Sequence, residues 1–295
     1  KGGTDCMQYS IELKNVCKTY PGFALKNVSF QLPKGSIMGF IGMNGAGKST
    51  TMKSILNMVR PQSGEITVLG LDPAKNEEEI KQNIGVVFDE SHFPSNFKAK
   101  QVDMVMGNLY TNWDREQFFG YIRRFSLPEN KTLKEFSRGM KMKMNIAAAL
   151  SHKARLLILD EPTSGLDPIV RNEILDLFME YIQDEENSVL VSSHITGDLE
   201  KIADYITFIH NGEVILSDSK DNLVYNHGVV KGSKEEIAAI APNYVMALRH
   251  NRFDTEALVK NKAEFAAAYP SLVVDHATLE DFMVFLAQKQ APNAR

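Results

Sequence analysis

The chain has 295 residues, a formal net charge of −4 and a sequence pI near 6.0. That length holds one large α/β domain with an appendage, or two domains, and the mild acidity argues against a broad basic face for nucleic acid. No apolar run reaches the roughly 18–20 residues that cross a bilayer and no signal peptide is legible, so a membrane role would come through a partner.

Met7 reads as the natural start, with Lys1 to Cys6 set aside. The only cysteines, Cys6 and Cys17, stand in no metal-ligand spacing, so free thiols in a reducing compartment are expected. Ile11 and Leu13, then Val28, Phe30 and Leu32, alternate with polar neighbours, which predicts an antiparallel sheet. Between these runs Lys18 to Gly22 forms a turn that exposes Tyr20, suited to stacking on a nucleotide base or simply to a turn.

An apolar strand from Ile37 then enters Gly42-Met43-Asn44-Gly45-Ala46-Gly47-Lys48-Ser49-Thr50, which meets the pattern G-x-x-x-x-G-K-[ST]. The three glycines let successive N–H groups converge on a phosphate. Met52, Ile55, Leu56 and Val59 predict a helix with one buried face and its N-terminus at the loop. Lys48 supplies a point charge for the β and γ phosphates, and the Ser49 hydroxyl suits Mg²⁺. Together these features imply a nucleoside triphosphate site.

Residues 65–70 and 84–88 read as strands, the second ending in Asp89-Glu90. Residues 91–135 change to helical spacing, with Val102, Val105, Met106 and Leu109, then Phe118, Phe119, Ile122 and Phe125, as in an inserted helical subdomain. Phe136 to Met140 opens a helix that runs through Leu150. Leu156 to Leu159 are four consecutive aliphatics, as in a sheet covered on both faces, and Asp160-Glu161 follow at the exit. Asp167-Pro168 start the next helix with an acidic cap and a proline at the first position. Val189 to Ser193 form a further buried strand with His194 at its exit, and His210 to Glu213 signal a hairpin.

Strands alternating with helices predict a mostly parallel sheet with ligands outside the carboxyl ends of its strands. The expected fold class is therefore α/β: a P-loop NTPase core, an N-terminal antiparallel β subdomain, a helical subdomain over about 91–150, and a small C-terminal α+β appendage. The ATPase domain is expected over 7–217 and the accessory region over 218–295, with a last helix from Thr278. Asp160, on a strand expected to neighbour that of the phosphate loop, suits Mg²⁺ through its water shell. Glu161 suits the acceptance of a proton from the attacking water, where two acids could otherwise simply cap a strand; His194 could contact the γ-phosphate, although alone a strand-end histidine is more often a structural hydrogen-bonder.

Gly42 to Thr50, Ser137 to Lys141, Leu156 to Glu161, Ser164 to Asp167 and His194 occur in the order and spacing of the ATP-binding-cassette (ABC) ATPases, which the chain resembles over about Tyr9 to Leu216. The resemblance implies that ATP is sandwiched between two cassettes, with Ser137 and Gly139 facing a phosphate loop on the other subunit. It implies Asp167 at the shared interface, Tyr20 on adenine, and Glu161 as the catalytic base. It also implies a motor for a separate transmembrane permease, cytoplasmic and peripheral on the inner face of the cell membrane, with no nucleic acid. The Ser-Arg-Gly-Met-Lys form is similar to that of stand-alone cassettes of drug, antibiotic and peptide exporters. The alternative is a soluble cassette acting on ribosomes or DNA; such relatives usually carry two cassettes or a long coiled-coil insertion, and neither is visible. Where the family usually has glutamine this chain has Asp89, a good hard-cation ligand that when ionised donates no hydrogen bond, so retained Mg²⁺ binding with altered coupling is expected.

Overall fold

The computed structural model describes residues 9–88, 93–252 and 254–289. Strands β1 (Tyr9–Tyr20) and β2 (Phe23–Pro33) form the predicted hairpin, and β4 (Ser63–Val68) joins the other edge of β1 in an antiparallel sheet of order β2-β1-β4. Ile11, Leu13, Val28 and Leu32 are fully buried on one side of it, as their alternation requires. The main sheet takes β3 (Ile37–Ile41), β5 (Ile84–Val87), β6 (Leu156–Asp160), β7 (Ser188–Ser193), β8 (Tyr205–His210) and β9 (Glu213–Ser219). Its order is β5-β6-β7-β3-β8-β9; the first five strands are parallel and β9 returns antiparallel. The return is the Asn211-Gly212 turn, with φ of 48° and 78°, a backbone that asparagine and glycine reach at least cost.

The continuous aliphatic run of β6 serves two cores at once. Leu157 and Leu159 point into one cluster and Leu156 and Ile158 into the other, as the two-residue period of a strand dictates. Helix α1 (Lys48–Ile55) follows β3 and ends a turn earlier than the sequence period predicts. Asn57 turns at φ 56° and the Met58 and Val59 N–H groups both close on Lys53 O, so Val59 lies beyond the helix, half-buried. Helix α2 (Glu77–Asn83) leads into β5.

The helical subdomain comprises α3 (Ala99–Leu109), α4 (Arg115–Arg124) and α5 (Arg138–Leu150). Phe118 and Ile122 are fully buried among Val102, Met106 and Phe125, whereas Leu109, expected on the inner face, is exposed. Helix α6 (Pro168–Tyr181) precedes β7, and α7 (Thr196–Ile202) connects β7 to β8.

The C-terminal part is more regular than the short β runs of its sequence suggest. After α8 (Lys220–Asn226) come β10 (His227–Gly232), α9 (Lys234–Ala238), β11 (Val245–His250), β12 (Thr255–Lys260), α10 (Lys262–Ala268), β13 (Val274–His276) and α11 (Leu279–Lys289). The order β11-β12-β10-β13, antiparallel throughout, is the ferredoxin-like split βαβ arrangement. One sheet face carries Val230, Ala257 and Val259 against Ile237 and Phe265. The other carries Val229, Ala247 and Leu258, and these share a cluster with Phe282 and Phe285 of α11 and with the core of the main sheet.

Candidate active site

The phosphate loop is shaped by what its glycines touch. A Cβ at Gly42 would lie 2.5 Å from the carbonyl oxygen of Ile209, so only glycine lets β3 leave the sheet this close to β8. Gly45 and Gly47 sit at φ 80° and 116°. Gly47 is the N-cap of α1, with neither a side-chain cap nor an acid in the first turn, which leaves the positive helix end available to an anion. Met43, Asn44 and Gly45 are exposed at the crest of the loop, and Ala46 is buried at its base. Lys48 is only 6 % exposed; its Nζ donates to Gly42 O at 2.6 Å and lies 3.4 Å from Glu161 Oε1.

Ser49 Oγ donates to Asp160 Oδ2 at 2.8 Å, although β3, which leads into the loop before Ser49, and β6, which ends at Asp160, are not adjacent as the sequence reading has them. β7 lies between β3 and β6, and its Ser192 fills the gap. Ser192 Oγ donates to Asp160 Oδ1 at 2.5 Å and accepts the Glu161 N–H at 3.0 Å, so one fully buried hydroxyl fixes both acids. Sequence reasoning missed Ser192. The signal was present, because a hydroxyl in an otherwise aliphatic buried strand must find a polar partner.

Glu161 adopts φ 53°, a left-handed backbone that costs a residue with a Cβ about 1–2 kcal/mol. Its Oε2 meets His194 Nδ1 at 2.7 Å, and its Oε1 is buried without a hydrogen-bond partner. An orphaned carboxylate oxygen beside a buried lysine is a site prepared for a further polar group. The Asp160 carboxylate and Ser49 hydroxyl form a pair of hard oxygens at the start of α1, whose uncapped N-terminus suits an anion. Among the described residues no cluster of three or more His, Cys, Asp or Glu could enclose an ion, so the protein offers the partial shell that Mg²⁺ accepts when phosphate oxygens and water complete it. These residues fit both groups.

Lys48, Ser49, Asp160, Glu161 and His194 are thus brought together, with Thr50 in the first turn of α1. Tyr20 ends β1, 39 % exposed; the hairpin it caps reaches the loop through Phe23, whose ring a Gly47 Cβ would meet at 3.0 Å. Ser137, Gly139 and Asp167 form a second group. Ser137 caps α5, accepting the Met140 N–H at 3.3 Å, and Asp167 caps α6, accepting from Ile169 and Val170 at 3.1 Å each. A Gly139 Cβ would rest 3.5 Å from Val170, whose N–H the Asp167 cap holds, so the two caps adjoin each other. Asp89 lies outside the described residues.

The family profile described as ABC transporter matches residues 25–164. The ABC transporter ATP-binding protein NatA of Bacillus subtilis is 35% identical over 227 residues, 75% of this chain and 89% of its own. The linearmycin resistance ATP-binding protein LnrL of the same organism is 32% identical over 297 residues, 96% of this chain and 95% of its own. The bacitracin transport ATP-binding protein BcrA of Enterococcus faecalis is 32% identical over 212 residues, 71% and 69% of the two chains. Among solved structures, an ATP-binding subunit of an ABC transporter superposes with a TM-score of 0.65 at 25% identity, covering 73% of this chain and 92% of that one. A dimeric cassette in a post-hydrolysis state with ADP and Pi shares the fold, at TM-score 0.63 and 24% identity over 71% of this chain and 98% of that one. The chain belongs to the ABC transporter ATP-binding proteins. It binds ATP and hydrolyses it as the nucleotide-binding subunit of a transporter.

Proposed function

We propose that this ATPase closes as a pair of cassettes around ATP and drives a separate permease in the direction of export. The observation that supports the pairing is the division of the site. Lys48, Ser49, Asp160, Glu161 and His194 converge at the strand ends, while Ser137, Gly139 and Asp167 stand together at the starts of α5 and α6. A second chain, identical or a sister cassette, brings its Ser137 and Gly139 to the γ-phosphate, and its Asp167 to the shared interface. Mg²⁺, held by Ser49 and Asp160 with Asp89 as a further ligand, would neutralise charge developing on the phosphates. Lys48 and the loop amides from Gly42, Asn44, Gly45, Ala46 and Gly47 to Thr50 bind and orient the phosphates, and Tyr20 stacks on the adenine. Glu161 takes the proton from the attacking water, and His194 orients that water against the phosphate.

Export is supported by relatives named for bacitracin and lantibiotic transport and for linearmycin resistance. No helix of the described residues is long and apolar enough to cross a membrane, in keeping with a permease on another polypeptide and a subunit peripheral to the inner face of the cell membrane. A cleft of about 600 Å³ lined by Leu56, Met58, Val86, Phe88 and Leu109 is the seat we assign to that permease; Met58 and Leu109 are each about 60 % exposed there. The domain boundaries follow the same reading, 7–217 for the ATPase and 218–295 for the accessory region.

The test is Glu161→Gln under saturating ATP and Mg²⁺. Turnover is expected to fall at least about 100-fold, the range of a lost general base, while light scattering shows a paired species, with itself or with a co-expressed sister cassette. Turnover at the wild-type rate, or monomers alone in both settings, would overturn the proposal.

A further inference from the structure

Helix α7 begins two residues after His194, and three different parts of the molecule hold it. On one side Lys201 Nζ donates to Asn172 Oδ1 of α6 at 3.2 Å, and the buried Asp198 carboxylate lies 3.8 Å from Arg171 Nε of the same helix. Beneath it Leu199 and Ile202 are buried in the ATPase core. On the third side lies the C-terminal module. Glu200 Oε1 accepts the N–H of Leu279, the first residue of α11, at 2.8 Å across 79 positions of sequence. Lys220 Nζ, at the start of α8, donates to Glu200 O at 2.9 Å.

The end of α11 has its own closure as well. Thr278 and Asp281 cap one another, with Thr278 N–H to Asp281 Oδ2 at 2.9 Å and Asp281 N–H to Thr278 Oγ1 at 3.1 Å. Of the first-turn donors, that of Leu279 is given to another element, so the bond to Glu200 is a joint between two units. Behind it Phe282 stacks on Phe208 of β8 at 6.0 Å and meets the edge of His227 at 5.1 Å, which keeps α11 from sliding. The module thus grips the helix that follows His194.

We propose that Glu200 is a positioning residue for His194 and that the C-terminal module controls turnover in cis by fixing α7. The module's inner sheet face shares one continuous core with α7 and α11, so a shift of α11 displaces α7 as a packed body. A displacement of α7 reaches His194 first, two residues before it in the chain, while Gly42 to Thr50 are reached only through the packing of Leu199 on Gly39 of β3. The consequence is a selective effect on the chemical step. The inference rests on the role given above to His194.

The experiment compares Glu200→Ala, Glu200→Gln and His194→Ala in the full chain, by steady-state ATP hydrolysis and by thermal melting. Glu200→Ala is expected to lower kcat about tenfold with KM for ATP within about twofold of wild type, because the lost bond acts after ATP is bound. Glu200→Gln keeps an amide oxygen for the Leu279 N–H and is expected to restore kcat to within about twofold. If His194→Ala is inactive while Glu200→Ala matches wild type, the inference falls and the role of His194 stands. If Glu200→Gln is as impaired as Glu200→Ala, or if KM rises in step with the fall in kcat, the inference also falls. If His194→Ala turns over normally, both readings fail together.

Discussion

Ser192 offers the most direct probe of how the two acids are held. Ser192→Ala removes the 2.5 Å bond to Asp160 and the 3.0 Å bond from the Glu161 N–H, leaving Asp160 with Ser49 alone and Glu161 with the longer 3.2 Å bond to the Ser192 carbonyl. A hydrogen bond to a charged group is worth about 1.5–3 kcal/mol, and the hydroxyl is fully buried, so little solvent is at hand to replace it. At about 1.4 kcal/mol per decade, kcat/KM should fall between about 10-fold and 100-fold. The Mg²⁺ concentration giving half-maximal activity should rise, because Asp160 loses its orientation. Stability should fall by about 1–3 kcal/mol, read as roughly 2–4 °C of melting temperature per kcal/mol at this chain length. The assay is ATP hydrolysis over a Mg²⁺ titration on protein shown to be folded. A variant whose kcat and Mg²⁺ dependence both stay within about twofold of wild type would refute the claim that Ser192 holds the acids.

Three further outcomes are expected. Gly42→Ala drives a methyl to 2.5 Å from Ile209 O; it should cost about 1–3 kcal/mol of stability and weaken nucleotide binding at least about tenfold, measured with a fluorescent ATP analogue. Phe118→Ala empties a fully buried position in the helical subdomain and should cost about 3–5 kcal/mol in urea unfolding, with nucleotide affinity retained because the phosphate loop is built on other elements, β3 and α1. Burial pushes the His152 imidazole below its usual 6.5, so the folded state favours the neutral ring. Its contribution is complete above pH 6.5 and is lost as pH falls through the lowered folded value. The melting temperature of His152→Gln should therefore differ from wild type by a constant amount above about pH 7 and converge with it toward pH 5; a constant gap would refute this.

The elements legible in the sequence are those in which one local rule dominates. The four aliphatics of β6 predict burial on both faces, Asn211-Gly212 predicts the hairpin, and the glycine spacing from Gly42 to Gly47 predicts the phosphate loop; each is present. What escapes is set by tertiary contact. Strand β12 has Glu256, Ala257 and Lys260 among its six residues, a composition with low strand propensity, and it forms because it is buried between β10 and β11. Glu256 is tolerated there since Lys231 and Arg249 flank it on the neighbouring strands. The early end of α1 rests on the turn at Asn57, which outweighs the helical spacing of Val59. The insertion of β7 between β3 and β6 is a property of sheet order, invisible to any periodicity, and it decides which acids the Ser192 hydroxyl meets. The left-handed backbone of Glu161 is likewise imposed by its surroundings, since no residue type announces it.

The C-terminal sheet is finished at both margins in a way that bears on how the chain behaves in a crowded cell. On one margin β13 has three residues, too few to template a second strand; on the other β11 carries an irregularity between Val245 and Ala247 that interrupts its row of amides. Strand-by-strand addition of one copy onto another through this sheet is thereby discouraged.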